Sequence, residues 1–107
     1  AAMRPGATRR ETTAICREIY DRWGFEDKPA HGAGHFVGLS VHDVGDGALP
    51  FEPGMVIAVE PIIELPERNI HIRIEDTVLI TEGDPEILSA AVPKEVDELL
   101  ALIGSSK

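Results

Sequence analysis

The chain has 107 residues with an apolar content of 43%, enough for one small domain with a single core and too much for a disordered tail. Its formal charge of -9 argues against nucleic acid and against anionic membrane surfaces as partners. No apolar run approaches the roughly 20 residues that span a bilayer, no signal-peptide pattern opens the chain, and Cys16 has no second cysteine to pair with, so the reading is a cytoplasmic protein in a reducing compartment.

Pro5 and Gly6 mark a turn. Residues 8–23 then read as a helix. Thr8 and Glu11 have capping-box spacing, and Ile15, Ile19 and Trp23 recur with Cys16 and Tyr20 beside them as one apolar stripe bound for the core. Gly24 suits the end of that helix. Pro29, Gly32 and Gly34 make residues 29–35 irregular, leading into a short strand or an extended loop over 35–41, and residues 43–53 are a loop. Residues 55–60 (MVIAVE) are five apolar positions ending in an acid, the pattern of a buried strand that delivers a charged group, and Pro61 stops it. Residues 65–68 form a turn. Residues 70–80 carry the strongest strand signal: Ile70, Ile72 and Ile74 point to one face, His71, Arg73 and Glu75 to the other. After a turn at 82–84, residues 87–92 read as a further short strand. Residues 93–103 read as a closing helix, with Pro93 at its first position, a stripe of Val96, Leu99, Leu100 and Ile103, and Gly104 as its stop. The order predicts one α+β domain over residues 1–107, built on an antiparallel sheet and without repeats or a linker.

Three of the four histidines crowd into HGAGHFVGLSVHD, residues 31–43, among glycines. A core needs no such cluster; a metal site, a proton-transfer site, or both would use it. His35 follows the glycine segment, Glu60 ends the buried strand, and Glu75 lies on the polar face of the alternating strand. One imidazole and two carboxylates suit a hard or borderline divalent ion such as Mn²⁺, Co²⁺, Fe²⁺ or Zn²⁺. A carboxylate shared between two ions would permit a two-metal hydrolytic site. His71 shares a face with Glu75 but reads as structural, and Cys16 sits inside an apolar helical pattern, a poor place for a nucleophile. Asp43 and Asp76 flank these positions and read as turn or supporting hydrogen-bond groups.

HGAGHFVGLSVHDVG, EPGMVIAVEP and IRIEDTVLITEG, in that order, resemble the C-terminal half of the pita-bread (M24-type) metallopeptidases, which include methionine aminopeptidase, aminopeptidase P, prolidase and creatinase. HD after the glycine block and RIED in the last strand resemble aminopeptidase P and prolidase most. The resemblance implies the C-terminal half of the pita-bread fold, an antiparallel sheet with flanking helices. It implies two divalent ions, manganese first, with cobalt or zinc as alternatives, held in part by His35, Glu60 and a bridging Glu75. It assigns His31 and His42 to the substrate and Arg73 to support of the ligand shell. The implied reaction is hydrolysis near the N-terminus of a peptide substrate, at an Xaa-Pro bond.

The family's first two ligands are aspartates from the preceding half of the fold, and no residue here matches them. The resemblance therefore implies that they come from a companion segment, expected upstream of Ala1, or from a second copy in a homo-oligomer, and that this chain alone is inactive. Ile62 and Glu64 stand near the places of a glycine and a tyrosine in the family pattern, and the loops between the ligands are short, so the substrate pocket is expected to differ. Two other functions remain open: a non-catalytic module that binds peptides or proteins, and a creatinase-like hydrolase of a small C–N compound.

Overall fold

The computed structural model describes residues 2–27 and 32–104. Its first helix, α1 (Arg9–Arg22), starts as its capping residues require. The Thr8 hydroxyl accepts from the Glu11 N–H at 3.2 Å, and the Glu11 carboxylate accepts from the Thr8 N–H at 2.6 Å. It also ends as Gly24 requires. At φ +75° Gly24 turns the chain, its N–H donating to the Asp21 carbonyl at 3.1 Å while the Phe25 N–H donates to the Tyr20 carbonyl at 2.9 Å.

The face that α1 buries matches the expected one at Tyr20 but not at Ile15, Ile19 and Trp23. Tyr20 is buried and its hydroxyl donates to the Ile62 carbonyl at 3.1 Å. Ile15, Ile19 and Trp23 are exposed, Trp23 by 73%. The helix docks instead through Arg9 and Thr13. The Thr13 hydroxyl accepts from the Ala33 N–H at 3.2 Å, and Arg9 donates to the Gly34 carbonyl at 3.3 Å. Polar bonds to the start of the first strand set the roll of the helix, and Ile15, Ile19 and Trp23 are left facing outward.

Four strands, β1 (Gly34–Val37), β2 (Val56–Val59), β5 (Asp76–Leu79) and β6 (Glu86–Ile87), form an antiparallel sheet in the order β1-β2-β5-β6. Two more, β3 (Ile62–Leu65) and β4 (Ile70–Arg73), form a hairpin closed by a short helical turn at Pro66–Arg68 and a left-handed Asn69 at φ 52°. The single strand expected over 70–80 is thus two strands, and β3 is an element the sequence pattern did not announce.

The registers give the reason. Val59 pairs with Asp76, and three residues further along both strands Ile62 pairs with Arg73. The two ladders are one continuous ribbon with a gap, where Glu60 and Pro61 face Ile74 and Glu75. Pro61 has no N–H to donate, so the ladder lapses there and resumes beyond it. Ile72 and Ile74, expected to share an apolar face, are about half exposed.

Side chains alternate across the sheet. Phe36, Ile57 and Val78 lie opposite one another in register and turn to one face. There Ile57 joins Ala7, Phe51 and Ile80 in the core, with Met3, Phe36, Met55 and Val59 packed against it. Burying a side chain such as Phe51 or Ile57 contributes about 1.5–3 kcal/mol. Backbone bonds tie the start of the chain into this core: Gly6 N–H to the Phe51 carbonyl at 3.0 Å, and Phe51 N–H to the Ala7 carbonyl at 2.6 Å.

Past β6, the strand expected over 87–92 lasts only through Ile87 before the chain turns. The closing helix, α2 (Val96–Gly104), begins three residues later than expected. Lys94 reaches back to Asp76 on β5, which keeps residues 93–95 along the sheet edge and out of the helix. None of the residues of α2 is buried, and its apolar stripe is exposed, from 40% at Leu99 to 73% at Ile103.

Candidate metal centre

The face opposite the core carries the chemistry. His35, Ala58 and Thr77 lie in register across β1, β2 and β5. Two residues beyond Ala58 is Glu60, and two before Thr77 is Glu75, so period-two alternation sends both carboxylates to the face of His35. The ribbon register sets them opposite each other at the gap. One donor atom from each of His35, Glu60 and Glu75 lies within 4.8 Å of the other two. His35 Nε2 is 3.5 Å from Glu60 Oε1.

Local backbone fixes these positions. The Glu60 N–H donates to the Ala33 carbonyl at 2.8 Å, carrying the β1–β2 ladder one step past the end of β2. Gly34 lies so close to β2 that a Cβ there would stand 1.8 Å from the Ala58 carbonyl oxygen. Only glycine lets β1 approach β2 this closely, directly before His35. The His35 ring is oriented by Nδ1, which lies 3.0 Å from the Phe36 carbonyl. That contact turns Nε2 toward the Glu60 carboxylate.

This donor set fits a divalent cation. His35 Nε2 and Glu60 Oε1 are 3.5 Å apart, a spacing that two ligands of one ion can take. Donor atoms around an ion with bonds of about 2.0–2.2 Å are themselves about 3–3.5 Å apart. Arg73 offsets part of the negative charge: one terminal nitrogen is 3.5 Å from Glu60 Oε2, the other 4.0 Å from Glu75 Oε2. It is half exposed, so water weakens its pull on both.

His42 joins the group from a loop. Residues 38–43 fold back over β1, pinned where the Asp43 N–H donates to the Phe36 carbonyl at 3.0 Å. The rings of His42 and His35 are 4.3 Å apart and tilted by 47°. His31 lies outside the described residues. His71 stays apart from the ligand group and pairs with Glu64 across the β3–β4 hairpin at 3.0 Å. Burial pushes the Cys16 thiol up, away from a reactive thiolate.

One feature is not announced by the sequence. A cleft of about 590 Å³ beside the ligands is lined by Arg9, Arg17, Gly34, His35, His42 and Glu60, among others. Arg9, Thr13 and Arg17 recur every four residues, the signal that would have placed a polar stripe on this side of α1. Asp76 is a supporting hydrogen-bond group, as expected. Its carboxylate accepts from Lys94 Nζ at 2.7 and 2.8 Å and from the Ser89 hydroxyl at 2.6 Å. The hydrogen bond from Lys94, then that from Ser89, holds the Asp76 carboxyl below the ordinary range.

Residues 1–82 match the profile of metallopeptidase family M24. Xaa-Pro aminopeptidase 3 of Rattus norvegicus is 46% identical over 80 residues, covering 64% of this chain and 16% of that protein. The zinc-substituted aminopeptidase P of E. coli in complex with product superposes with a TM-score of 0.77 at 34% identity, covering 97% of this chain and 30% of that one. The prolidase of Pyrococcus horikoshii OT3 gives 0.74 at 36% identity, covering 82% and 26%. The chain spans 16% to 27% of the length of such curated relatives. Both solved relatives are pita-bread enzymes, so the α+β fold is the pita-bread one that the three motifs implied. With a family match over most of its length and three donors for a divalent ion converging on one face, this chain belongs to metallopeptidase family M24.

Proposed function

We propose that this chain forms the ion-binding, substrate-facing part of an Xaa-Pro peptidase. The observation that carries the reading is the convergence of His35, Glu60 and Glu75 at the gap in the ribbon, in a chain whose relatives are named Xaa-Pro aminopeptidases and dipeptidases. These three residues hold the ion, and manganese is proposed first, with cobalt or zinc also suited to one imidazole and two carboxylates. Bound there, a divalent ion supplies Lewis acidity toward a peptide carbonyl and eases proton loss from water. The remaining work falls to side chains. A carboxylate neighbouring the attacking water takes its proton. His42, its ring tilted against that of His35, presents that ring to the substrate and donates to the oxygen that gains charge. Arg73 offsets repulsion between Glu60 and Glu75. His31 is proposed as the second substrate histidine on the resemblance alone. The cleft is of a size to hold a short peptide.

Three donors serve one ion. The second ion of the proposed pair needs further ligands, which we assign to two aspartates on a companion segment or on a second copy of this chain. All 107 residues are proposed to act as one unit of that larger site. A cytoplasmic setting is part of the proposal and rests on the lone cysteine. The three-donor count also favours a second reading, a module that binds an ion and a peptide without cleaving it.

Calorimetric titration of Mn²⁺ into the protein, with Glu75→Ala alongside, followed by a panel of Xaa-Pro peptides and small guanidino and amide compounds, separates these readings. Two ions per chain, lost in the variant, together with Mn²⁺-dependent release of an N-terminal residue, support the peptidase. Metal-dependent peptide binding without release supports the binding module. Cleavage confined to the small compounds supports a creatinase-like hydrolase.

A further inference from the structure

We infer that Lys94, Ser89 and Asp76 form a positioning strap that holds Glu75 in the ion site from the opposite side of its strand. The inference rests on the assignment of Glu75 as a ligand proposed above. Glu75 is the residue of the trio with the least backbone support. It lies in the gap between β4 and β5, where the partner positions are Glu60 and Pro61. His35 sits inside a paired strand, and Glu60 is fixed by its own N–H bond to Ala33. The ladder that would fix Glu75 has lapsed.

The strap begins at the next residue. Asp76 leaves the strand on the face opposite Glu75, as neighbours on extended backbone do. Its carboxylate takes Lys94 Nζ on both oxygens and the Ser89 hydroxyl on one. Ser89 is itself fixed to the same strand, because its oxygen accepts from the Thr77 N–H at 3.1 Å. One residue earlier, the Leu88 N–H donates to the Thr77 carbonyl at 2.8 Å, extending the β5–β6 ladder. The sequence 88–94 thus closes the outer edge of β5 at Asp76 and Thr77, the last positions that β2 pairs before the gap. The Asp76 and Lys94 side chains are each a third exposed or less, and a doubly contacted carboxylate is a rigid anchor. The strap is made of residues 13 and 18 positions away in sequence, so its tension on Asp76 is a property of the fold. None of its members belongs to the donor group of His35, Glu60 and Glu75. They act by fixing the strand that carries Glu75.

The test is Mn²⁺ affinity set against stability. Supporting partners of ligands typically change metal affinity by about 10- to 100-fold, and Lys94→Met is expected at about 10-fold weaker. Lys94→Arg keeps a cation with two parallel donors and should restore most of the affinity. Ser89→Ala removes one neutral donor and should weaken binding by about 3-fold. Each variant is compared with the parent by calorimetry at a temperature where circular dichroism shows it folded, and its thermal midpoint is taken without metal. A purely structural strap would lower the midpoint and leave the affinity of the folded protein within about twofold of the parent, which overturns the inference. If Lys94→Met does not fold, Ser89→Ala decides, and unchanged affinity there overturns it; if neither folds, the strap serves folding and the inference is also overturned. Glu75→Ala keeps the two failures apart. Full Mn²⁺ affinity without Glu75 sinks the ligand assignment, whereas lost affinity there with normal affinity in Lys94→Met sinks only the strap.

Discussion

His35 owes its place to its neighbours on both sides. Gly34 lets the strand lie against Ala58, and Phe36 supplies the carbonyl that orients the ring. Gly34→Ala should therefore act twice. The added carbon meets a backbone oxygen, which cannot swing away as a side chain can, so a loss of about 1–3 kcal/mol is expected in denaturant titration. Mn²⁺ binding should weaken in the same variant, because β1 must shift to relieve the contact. Affinity that survives a measured loss of stability would mean that His35 does not depend on the close approach. At this scale the candidate ligands were legible. A histidine after glycines, an acid ending an apolar run and an acid on a polar face each declare their chemistry locally. Arg9 and Arg17 were not, because their stripe was masked by the more apolar one beside it, of which Ile15, Ile19 and Trp23 proved to be exposed.

Among the elements, α1 was readable at both ends because capping is a short-range matter of Thr8, Glu11 and Gly24. The division of residues 70–80 into β4 and β5 was not, because alternation runs unbroken through Ile74 and Glu75 while the cause lies across the ribbon at Pro61. The late start of α2 is similar: Pro93 is locally a good first residue, but Lys94 is held at Asp76. That contact carries a pH dependence. The Asp76 carboxyl is held below its usual range by Lys94 and then Ser89. The stability it contributes is fully present above the unfolded carboxyl value of about 4 and is lost as pH falls through the lower folded value. Thermal midpoints measured from about pH 6 down to about pH 2 should fall in the parent below about pH 4, and fall less in Lys94→Met, where only Ser89 is left to lower the carboxyl. Parallel acid profiles would show that the contact adds no pH-dependent stability.

At the scale of the whole molecule, the α+β class and the antiparallel sheet were legible from the order of elements, but the distribution of apolar surface was not. Ile15, Ile19, Trp23, Ile72, Ile74 and the stripe of α2 are exposed among the described residues. Trp23 is the single tryptophan and reports on this directly. Its fluorescence should have the red emission of a water-exposed indole and be open to quenching by iodide; a blue, protected emission would mean that this side of α1 is covered in solution. The ribbon has a consequence of another kind. Glu60 and Glu75 meet because the hairpin beyond them keeps register across its gap, and a slip of one residue turns every side chain on a strand to the other face. The tip of the hairpin is thus free to change length only by even, matched steps. One residue added to β3 and one to β4 should lengthen the tip and leave ion binding intact, whereas a single residue added between Arg73 and Glu75 should abolish it, a parity rule that lets the outer hairpin vary while the ligands stay where they are.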